Sequence, residues 1–214
     1  MEKENKNYLV VKYFAVGQLE TNCIFIIDPA SLKTCIVDPG ADPDIILSEL
    51  KNEGLTPDKI IITHGHYDHI GAVEDLVKET GIPVFIHKKD EPLLRDSTKN
   101  FSAFLGKEVS YKGQLNFVEQ GSRLYAGAFP LEIVEIPGHT QGSIGLKADG
   151  FLVAGDTLFA GGVGRTDLPG ASETQLIKSI KEKILSLPDE TVVYPGHGPE
   201  TTVREEKNDN PFLR

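Results

Sequence analysis

The sequence has 214 residues, 39% of them hydrophobic and 25% charged, which is the composition of an ordinary globular protein. No apolar run approaches the roughly 20 residues that span a bilayer, and the polar N-terminus lacks the apolar core of a secretory signal, so we expect a cytoplasmic protein that does not enter membranes. The net charge of −10, without any cluster of lysine and arginine, disfavours nucleic acid as a partner.

Three β-rich runs separated by turn residues open the chain, in the pattern of an antiparallel meander. Alternating helices and short apolar strands follow, as in an α/β unit. The predicted strands of this half cover residues 8–16, 21–28, 34–38, 58–63 and 82–87. The predicted helices cover 42–54, which opens with Asp-Pro and ends at a glycine, and 70–80. Cys23 and Cys35 stand inside strand-like runs, so we expect two buried thiols rather than a disulfide or a ligand pair.

The second half repeats this organisation after a less regular stretch at residues 88–112, in which we expect a helix early and assign no element to the rest. An Asp-Gly pair at 149–150 predicts a hairpin turn, and the clearest helical pattern, 173–186, begins after Ser172 as its cap. The predicted strands cover 131–136, 143–147, 151–154 and the TVVY run at 191–194. We therefore predict an α/β (α+β) protein in which two mixed sheets pack together with helices outside, as one domain over residues 1–214.

The densest concentration of metal-ligand residue types is the segment THGHYDH at 63–69, directly after an apolar run of three isoleucines. Without a metal these side chains would cost desolvation and mutual crowding, so the segment predicts a metal site. His64 and His66, two residues apart in an extended turn, can hold one ion. Asp68 and His69 follow at the start of a helix and face a second position. Imidazoles and carboxylates without thiolates suit two divalent ions, zinc first and iron or manganese as alternatives.

Three further strands end in a glycine-bearing turn that carries a histidine or an aspartate. These turns are GHT at 138–140, GDT at 155–157 and GHG at 196–198. Because loops at strand ends converge on one edge of an α/β architecture, we expect His139, Asp156 and His197 to lie near the first motif. Each short motif is weak alone, since a turn histidine or aspartate can be structural. His87 follows a strand without such a turn, and we interpret it as structural or surface.

In their order and spacing, HGHYDH, GHT, GDT and GHG resemble the metallo-β-lactamase-fold hydrolases over essentially the whole chain. The segment GGVGRTDLPG at 161–170, with PGHGPETT and a terminal Asn-Pro-Phe, looks most like the short glyoxalase II-like proteins. The resemblance implies a four-layer αββα sandwich with a dinuclear site along one edge. It assigns His64, His66 and His139 to the first metal, Asp68, His69 and His197 to the second, and Asp156 to a bridge between them.

The resemblance also implies a reaction. Two cations that share a water lower its pKa, and the bridging hydroxide can attack an acyl carbon without a serine or cysteine nucleophile. Asp68 and Asp156 are then the catalytic carboxylates, and Arg165 aligns with the basic residue that holds glutathione in that family. We expect a small-molecule thioester as the substrate, S-D-lactoylglutathione above all, and a monomer or homodimer.

The sequence departs from typical glyoxalase II in two ways. Only a short segment follows His197, where that family has a helical domain with basic residues for glutathione. Thr166, Asp167 and Pro199 stand where that family has aromatic contacts. A surface ion pair is the other interpretation of Arg165.

Other functions on the same fold remain open. The GxGRTD segment also resembles the persulfide dioxygenases, in which His64, His139 and Asp156 would hold a single iron. A lactonase or β-lactamase is possible on this scaffold. A metal-stabilised binding module without catalysis is the non-enzymatic alternative.

Overall fold

The first sheet is built from the N-terminal half of the protein, whose computed structural model describes residues 8–214. Its strands are β1 Val10–Val16, β2 Thr21–Ile27, β3 Lys33–Val37, β4 Thr56–Ile61, β5 Val84–His87 and β6 Leu115–Val118. They lie side by side in chain order, with β1 to β3 antiparallel, which confirms the predicted meander. From β3 to β6 they run parallel, so their carboxyl ends meet at one edge.

The second sheet is built from the C-terminal half. The strands of this half are β7 Arg123–Ala126, β8 Phe129–Glu135, β9 Ile144–Ala148, β10 Phe151–Gly155, β11 Leu158–Phe159, β12 Gly162–Val163, β13 Val192–Pro195 and β14 Thr201–Thr202. The sheet has the order β14-β13-β10-β9-β8-β7, in which only β10 and β13 are parallel. Strands β11 and β12 form a separate ribbon. The Asp-Gly turn joins β9 to β10 as predicted.

The helices are short and are distributed over both halves of the chain. They are α1 Pro43–Asn52, α2 Tyr67–Ile70, α3 Val73–Thr80, α4 Glu91–Arg95, α5 Glu173–Ser179 and α6 Val203–Asp209, with 3₁₀ turns at Lys88–Asp90 and Ser102–Leu105 and a π-helical turn at Ile180–Ile184. Helix α5 begins after Ser172, whose hydroxyl accepts a hydrogen bond from the amide of Gln175, as the sequence predicts. None of the helices in residues 8–214 combines the length and apolarity that crossing a membrane requires.

The inner strands are buried on both faces, which creates three hydrophobic layers. In β2, Phe25 and Ile27 belong to the cluster with α1 and α3, whereas Ile24 and Ile26 belong to the cluster between the two sheets. Leu152 of β10 belongs to a third cluster, with α5, the π-helical turn and α6. Each such buried side chain contributes roughly 1.5–3 kcal/mol. The layers therefore run helix, sheet, sheet, helix, which confirms the αββα architecture.

Two predicted helices differ from the structure. The helix predicted at 70–80 is two helices, α2 and α3, because the chain turns where Gly71 packs against Gly40. A Cβ at position 71 would lie 2.1 Å from the Gly40 carbonyl oxygen. The helix predicted at 173–186 is α-helical only through α5, and the π-helical turn that follows bonds one residue further back along the chain.

The remaining predicted strands, and the helix at 42–54, agree with the structure to within about two residues at each end. Strands β6 and β7 and helix α6 lie in segments for which the sequence predicts no element. Each of these elements is short and buries only one or two side chains, so it presents no long periodic pattern. Cys23 and Cys35 are both buried and free, as predicted.

Candidate metal centre

The predicted ligand residues meet at one edge of the sandwich, where strands of both sheets end. The residues at these ends are Asp38 after β3, His64 after β4, His139 after β8, Asp156 after β10 and His197 after β13. Between β4 and α3 the chain adds His66, which caps α2, and then Asp68 and His69 inside it. All seven side chains that the sequence singles out are therefore brought together, and five of the six histidines are neighbours.

The first group of candidate ligands is His64, His66 and His139. Their ligand atoms all lie within 4.8 Å of one another, and His66 Nδ1 is 2.9 Å from His139 Nε2. The residues are only 1%, 7% and 3% exposed. Three buried imidazoles that converge on one point match the nitrogen ligand set of a catalytic metal position.

The second group is Asp68, His69 and His197, whose ligand atoms also lie within 4.8 Å of one another. Asp68 Oδ2 is 3.6 Å from His69 Nε2 and 3.3 Å from His197 Nε2. The side chains of Asp68 and His197 are 14% and 27% exposed, whereas His69 is buried. This group therefore combines a carboxylate with imidazoles and is partly open to solvent.

Asp156 lies between the two groups. One carboxylate oxygen is 3.4 Å from His69 Nε2, and the other is 3.7 Å from His139 Nε2 and 3.6 Å from His197 Nε2. The neighbouring strand end makes room for it at Gly196, where a Cβ would lie 2.1 Å from Asp156 Oδ1. Asp156 can therefore contact ions in both positions, as a bridging ligand must.

The histidine rings are oriented by hydrogen bonds on the side away from the common space. Four of them have Nδ1 against an oxygen: His64 at 3.2 Å from Thr63 Oγ1, His69 at 2.9 Å from Asp38 Oδ2, His139 at 2.9 Å from the Arg165 carbonyl and His197 at 2.9 Å from the Leu19 carbonyl. Because a backbone carbonyl only accepts, Nδ1 of His139 and Nδ1 of His197 are the donors, which leaves Nε2 of each ring available to a metal. Such outer hydrogen bonds fix the tautomer of metal-binding histidines.

Buried polar atoms without a hydrogen-bond partner test whether these residues fit a metal. Among residues 8–214, four buried side-chain atoms have no such partner. Three of them are His64 Nε2, His69 Nε2 and Asp156 Oδ1. A buried polar atom without a partner costs free energy, and a cation in this space would satisfy all three. The donor set therefore fits divalent metal ions.

Two histidines of the first group, His64 and His66, have a low affinity for protons. Burial, together with the neighbouring histidines, holds the pKa of His64 well below its ordinary value. The same causes lower the pKa of His66 to about 3. These rings stay neutral at physiological pH, and neutral imidazole is the form that binds a metal.

In the second group, attraction between carboxylates and His69 determines the direction of the pKa shifts. Burial alone would lower the pKa of His69, but the carboxylates of Asp156, Asp68 and Asp38 outweigh it and raise that pKa well above its ordinary value. For Asp68 and Asp156 burial acts upward, and the nearby histidines, led by His69, bring both pKa values below the usual range. Both carboxylates are therefore ionised at neutral pH.

Comparison with known proteins agrees with this geometry. A model of the metallo-beta-lactamase superfamily matches residues 16–197. The chain belongs to the metallo-beta-lactamase superfamily. The chain is 42% identical over 202 residues to the "Probable metallo-hydrolase YqgX" of Bacillus subtilis, with 92% of this chain and 94% of the relative covered. It is 34% identical over 207 residues to the "Hydroxyacylglutathione hydrolase GloC" of Haemophilus influenzae, with 95% and 97% covered.

Solved structures of the superfamily superpose over nearly the whole chain. The BLEG-1 B3 metallo-beta-lactamase has a TM-score of 0.90 at 37% identity, with 95% of this chain and 99% of that one covered. TTHA1623 in a di-iron-bound form has a TM-score of 0.85 at 35% identity, with 96% and 100% covered. ETHE1 from Myxococcus xanthus has a TM-score of 0.78 at 28% identity, with 94% and 83% covered. The fold predicted from the motifs is thus confirmed by similar structures.

Asp38 is a site residue that the sequence analysis does not identify. Its carboxylate accepts hydrogen bonds from His69 Nδ1 at 2.9 Å, from the Thr63 hydroxyl at 2.6 Å and from the Thr63 amide at 2.7 Å. Through these contacts it orients both His69 and, by way of Thr63, His64. The signal was available: Asp38 follows a strand and precedes Pro39-Gly40, the same strand-then-turn pattern as the four motifs.

Asp90 is the second such residue, and it joins the two histidine loops. Its buried carboxylate accepts hydrogen bonds from the Gly65 amide at 2.9 Å, the Thr140 hydroxyl at 2.7 Å and the Gly142 amide at 2.7 Å. Burial raises its pKa, although these donors oppose the shift. Nothing in the local sequence marks Asp90, because its partners are distant in the chain.

Two other predicted residues take different places. His87 lies outside the centre: it is buried, its Nε2 is 3.2 Å from Glu135 Oε1, and its Nδ1 accepts from the Lys89 amide. This agrees with the structural interpretation. Arg165 stands at the rim, where its carbonyl holds His139 and its guanidinium makes two 2.8 Å contacts with the carboxylate of Asp167.

A cavity of about 410 Å³ opens over the candidate metal centre. Its floor consists of His66, Asp68, His139, Asp156 and His197. Its walls consist of Leu19, Tyr67, Asn100, Phe101, Phe104, Leu105, Arg165 and Leu168. A small molecule in this cavity would reach both groups of candidate ligands.

Proposed function

We propose that this protein is a metal-dependent hydrolase that cleaves thioesters of small thiols, with S-D-lactoylglutathione as the leading substrate. The observation that carries the proposal is that buried imidazole nitrogens and two carboxylates converge on one space beneath a cavity. The 34% identity to GloC, named a hydroxyacylglutathione hydrolase, supports a glutathione thioester. The partner is then a small molecule rather than nucleic acid or membrane, and the chain acts as a single domain, as a monomer or homodimer.

The proposed ligand sets follow the two groups. We assign His64, His66 and His139 to the first ion, Asp68, His69 and His197 to the second, and Asp156 to both. Zinc is our first choice because imidazole and carboxylate suit it, and the likeness to di-iron TTHA1623 supports iron as an alternative beside manganese. The chemistry that two such ions supply when bound is activation of water at neutral pH and polarisation of an acyl carbonyl.

The chain's own carboxylates direct the reacting water. Asp68 and Asp156 both line the cavity floor and, being ionised, act as hydrogen-bond acceptors rather than acids. An acceptor beneath the substrate orients the water toward the acyl carbon, which reduces the entropic part of the barrier. Arg165 lies at the rim, where it can contact a carboxylate of the thiol.

A second candidate is the mononuclear iron persulfide dioxygenase, with His64, His139 and Asp156 as its iron ligands. The likeness to ETHE1 supports it. The likeness to a B3 metallo-beta-lactamase similarly supports a lactonase or β-lactamase type of hydrolysis.

The deciding experiment combines metal analysis with enzyme assays on protein purified without added metal. We expect close to two metal ions per chain by mass spectrometry and hydrolysis of S-D-lactoylglutathione. His66→Ala should abolish hydrolysis and lower the metal content toward one ion per chain, because it removes a ligand of the first ion and leaves the ligands of the second in place. His87→Ala is the matched control, since it removes a histidine of similar burial outside the centre and should leave both unchanged.

Three outcomes separate the candidates. One iron per chain, no hydrolysis, and oxygen uptake with glutathione persulfide would replace the hydrolase with the dioxygenase. Cleavage of a β-lactam or lactone without cleavage of thioesters would change the substrate class. A His66→Ala protein that loses only thermal stability, from a parent without any activity, would favour the binding module.

A further inference from the structure

A loop that supplies none of the proposed ligands forms one wall of the cavity. Phe101 lies over His66, with ring centroids 5.7 Å apart, and Phe104 lies 6.4 Å from Phe101. Phe104 and Leu105 are 77% and 59% exposed, and Leu19, 51% exposed, stands at the same cavity. Large apolar side chains that remain exposed around a cavity are typical of a ligand-binding surface.

The shape of this loop is fixed by contacts within the protein. Phe101 has φ of 73°, a left-handed conformation that a bulky side chain rarely adopts. The preceding residue, Asn100, is fully buried and donates to the carbonyls of Leu93 and Val109 at 3.0 and 2.9 Å, while it accepts from the Ser102 amide and hydroxyl. The network holds Phe101 over the metal centre before any substrate binds. An aromatic wall fixed in this way contacts a substrate with little loss of conformational freedom.

The polar wall residues offer little uncompensated charge to a substrate. Asn100 is engaged by its four hydrogen bonds, and the guanidinium of Arg165 is paired with Asp167 through two contacts. The remaining wall is apolar, formed by Leu19, Phe101, Phe104, Leu105 and Leu168. The part of the substrate that rests on this wall must therefore be apolar, because a charged group would lose its hydration without gaining a partner.

We propose that Phe101, Phe104 and Leu105, with Leu19 and Leu168, form a subsite that selects thioesters carrying an apolar substituent. This inference rests on the proposed hydrolase function and extends it to thioesters more apolar than S-D-lactoylglutathione, which would be cleaved without use of the subsite. The apolar substituent belongs either to the acyl group or to the thiol, and the two share the same chemistry toward the wall. Phe104 is the specificity-determining residue because it is the most exposed of the three and gains the most burial on contact with substrate.

Two series of substrates test the subsite on the metal-loaded enzyme. In the first, glutathione is constant and the acyl group is lactoyl, acetyl, butyryl or hexanoyl. In the second, the acyl group is lactoyl and the thiol ranges from glutathione to an aryl-substituted alkyl thiol. We expect kcat/KM to rise about tenfold with apolar size in one series, as the burial of a few methylene groups implies.

The variant Phe104→Ala should reduce this preference to less than about threefold, with the loss of kcat/KM greatest for the substrates that carry the largest apolar group. Phe117→Ala is the control, since it removes an exposed phenylalanine on β6, outside the cavity. Binding supplies a readout that is independent of turnover. The parent should bind S-hexylglutathione about tenfold more tightly than S-methylglutathione by calorimetry, and Phe104→Ala should reduce this ratio to less than about threefold.

The results distinguish the subsite from the hydrolase proposal. Thioester hydrolysis that is flat in both series, or a preference that survives Phe104→Ala, would overturn the subsite and leave the hydrolase intact. Absence of thioester hydrolysis would overturn the hydrolase, and the thioether affinities would then decide whether the wall binds apolar groups at all. Equal affinities of the parent for the two thioethers would overturn that as well.

Discussion

The two groups of candidate ligands lie side by side but are built by different means. The first, His64, His66 and His139, consists of buried imidazoles, and burial lowers the pKa values of His64 and His66. The second, Asp68, His69 and His197, is partly exposed and gathers carboxylates around a buried ring. One position is thus prepared by removing water and the other by supplying negative charge. The first position should therefore be set by packing and the second by electrostatics.

A substitution of Asp156 should affect both groups at once, because its two carboxylate oxygens lie close to ligand atoms of both. Asp156→Asn keeps the shape and removes the charge, so both ions should bind more weakly. Loss of a residue that only orients a metal ligand typically costs about 10- to 100-fold in activity. Because Asp156 would itself be a ligand of both ions, we expect thioester hydrolysis to fall by more than about 100-fold. Metal content per chain and kcat/KM are the measurements. Asp189→Asn, at an exposed ion pair, is the matched control. Full activity in Asp156→Asn would remove it from the site.

Asp38 separates the two groups more selectively. Asp38→Asn removes a negative charge beside His69 and weakens the hydrogen bond that orients that ring. We expect the affinity for the second ion to fall by roughly 10- to 100-fold, with a smaller effect on the first. Competition with a chelator, followed one ion at a time, measures both affinities. Equal weakening of both ions would mean that Asp38 acts mainly through Thr63 and His64.

In metal-free protein, His66 of the first group and His69 of the second should change the free energy of unfolding in opposite pH ranges. His66 has a folded pKa of about 3, below the ordinary 6.5, so only the unfolded chain binds this proton between those values. The free energy of unfolding should therefore fall as the pH drops below 6.5, by at most about 1.4 kcal/mol per pH unit for this group. His69 has a raised pKa, so its contribution is complete below 6.5 and is lost as the pH rises through the folded value.

Chemical denaturation of the metal-free protein across this range should thus give a stability maximum near pH 6.5. His66→Gln should make the acid side less steep between pH 6.5 and about 4, a window in which the lowered carboxylates do not yet titrate, and the slope that remains comes from His64. Stability that instead rises toward acid would contradict the role of burial in the first group.

The sequence predicts the candidate ligands of this site better than it predicts the residues that position those ligands and line the cavity. The strand-then-turn pattern places His139, Asp156 and His197 beside the first motif because carboxyl ends of strands share an edge. Asp90 is not predictable, since its partners lie about 25 and 50 residues away and only the packed sandwich joins them. The cavity wall at Phe101 is not predictable from the sequence for a similar reason. It lies in the irregular stretch at 88–112, where hydrogen bonds of the buried Asn100, rather than any periodic pattern, determine the path of the chain.

Arg165 gives the smallest expected effect and tests how far the cavity rim takes part in recognition. Its guanidinium is exposed and already paired with Asp167, so contact with a substrate carboxylate must compete with that pair. Arg165→Ala should raise KM for glutathione thioesters by about fivefold or less, corresponding to at most about 1 kcal/mol, and leave kcat unchanged. The carbonyl that holds His139 survives this substitution, so metal content should also stay the same. Asp167→Asn, which frees the arginine, should lower KM for the same substrates. A fall in kcat in Arg165→Ala would instead place the guanidinium in the reaction itself, and unchanged KM in both variants would leave the ion pair as a surface contact.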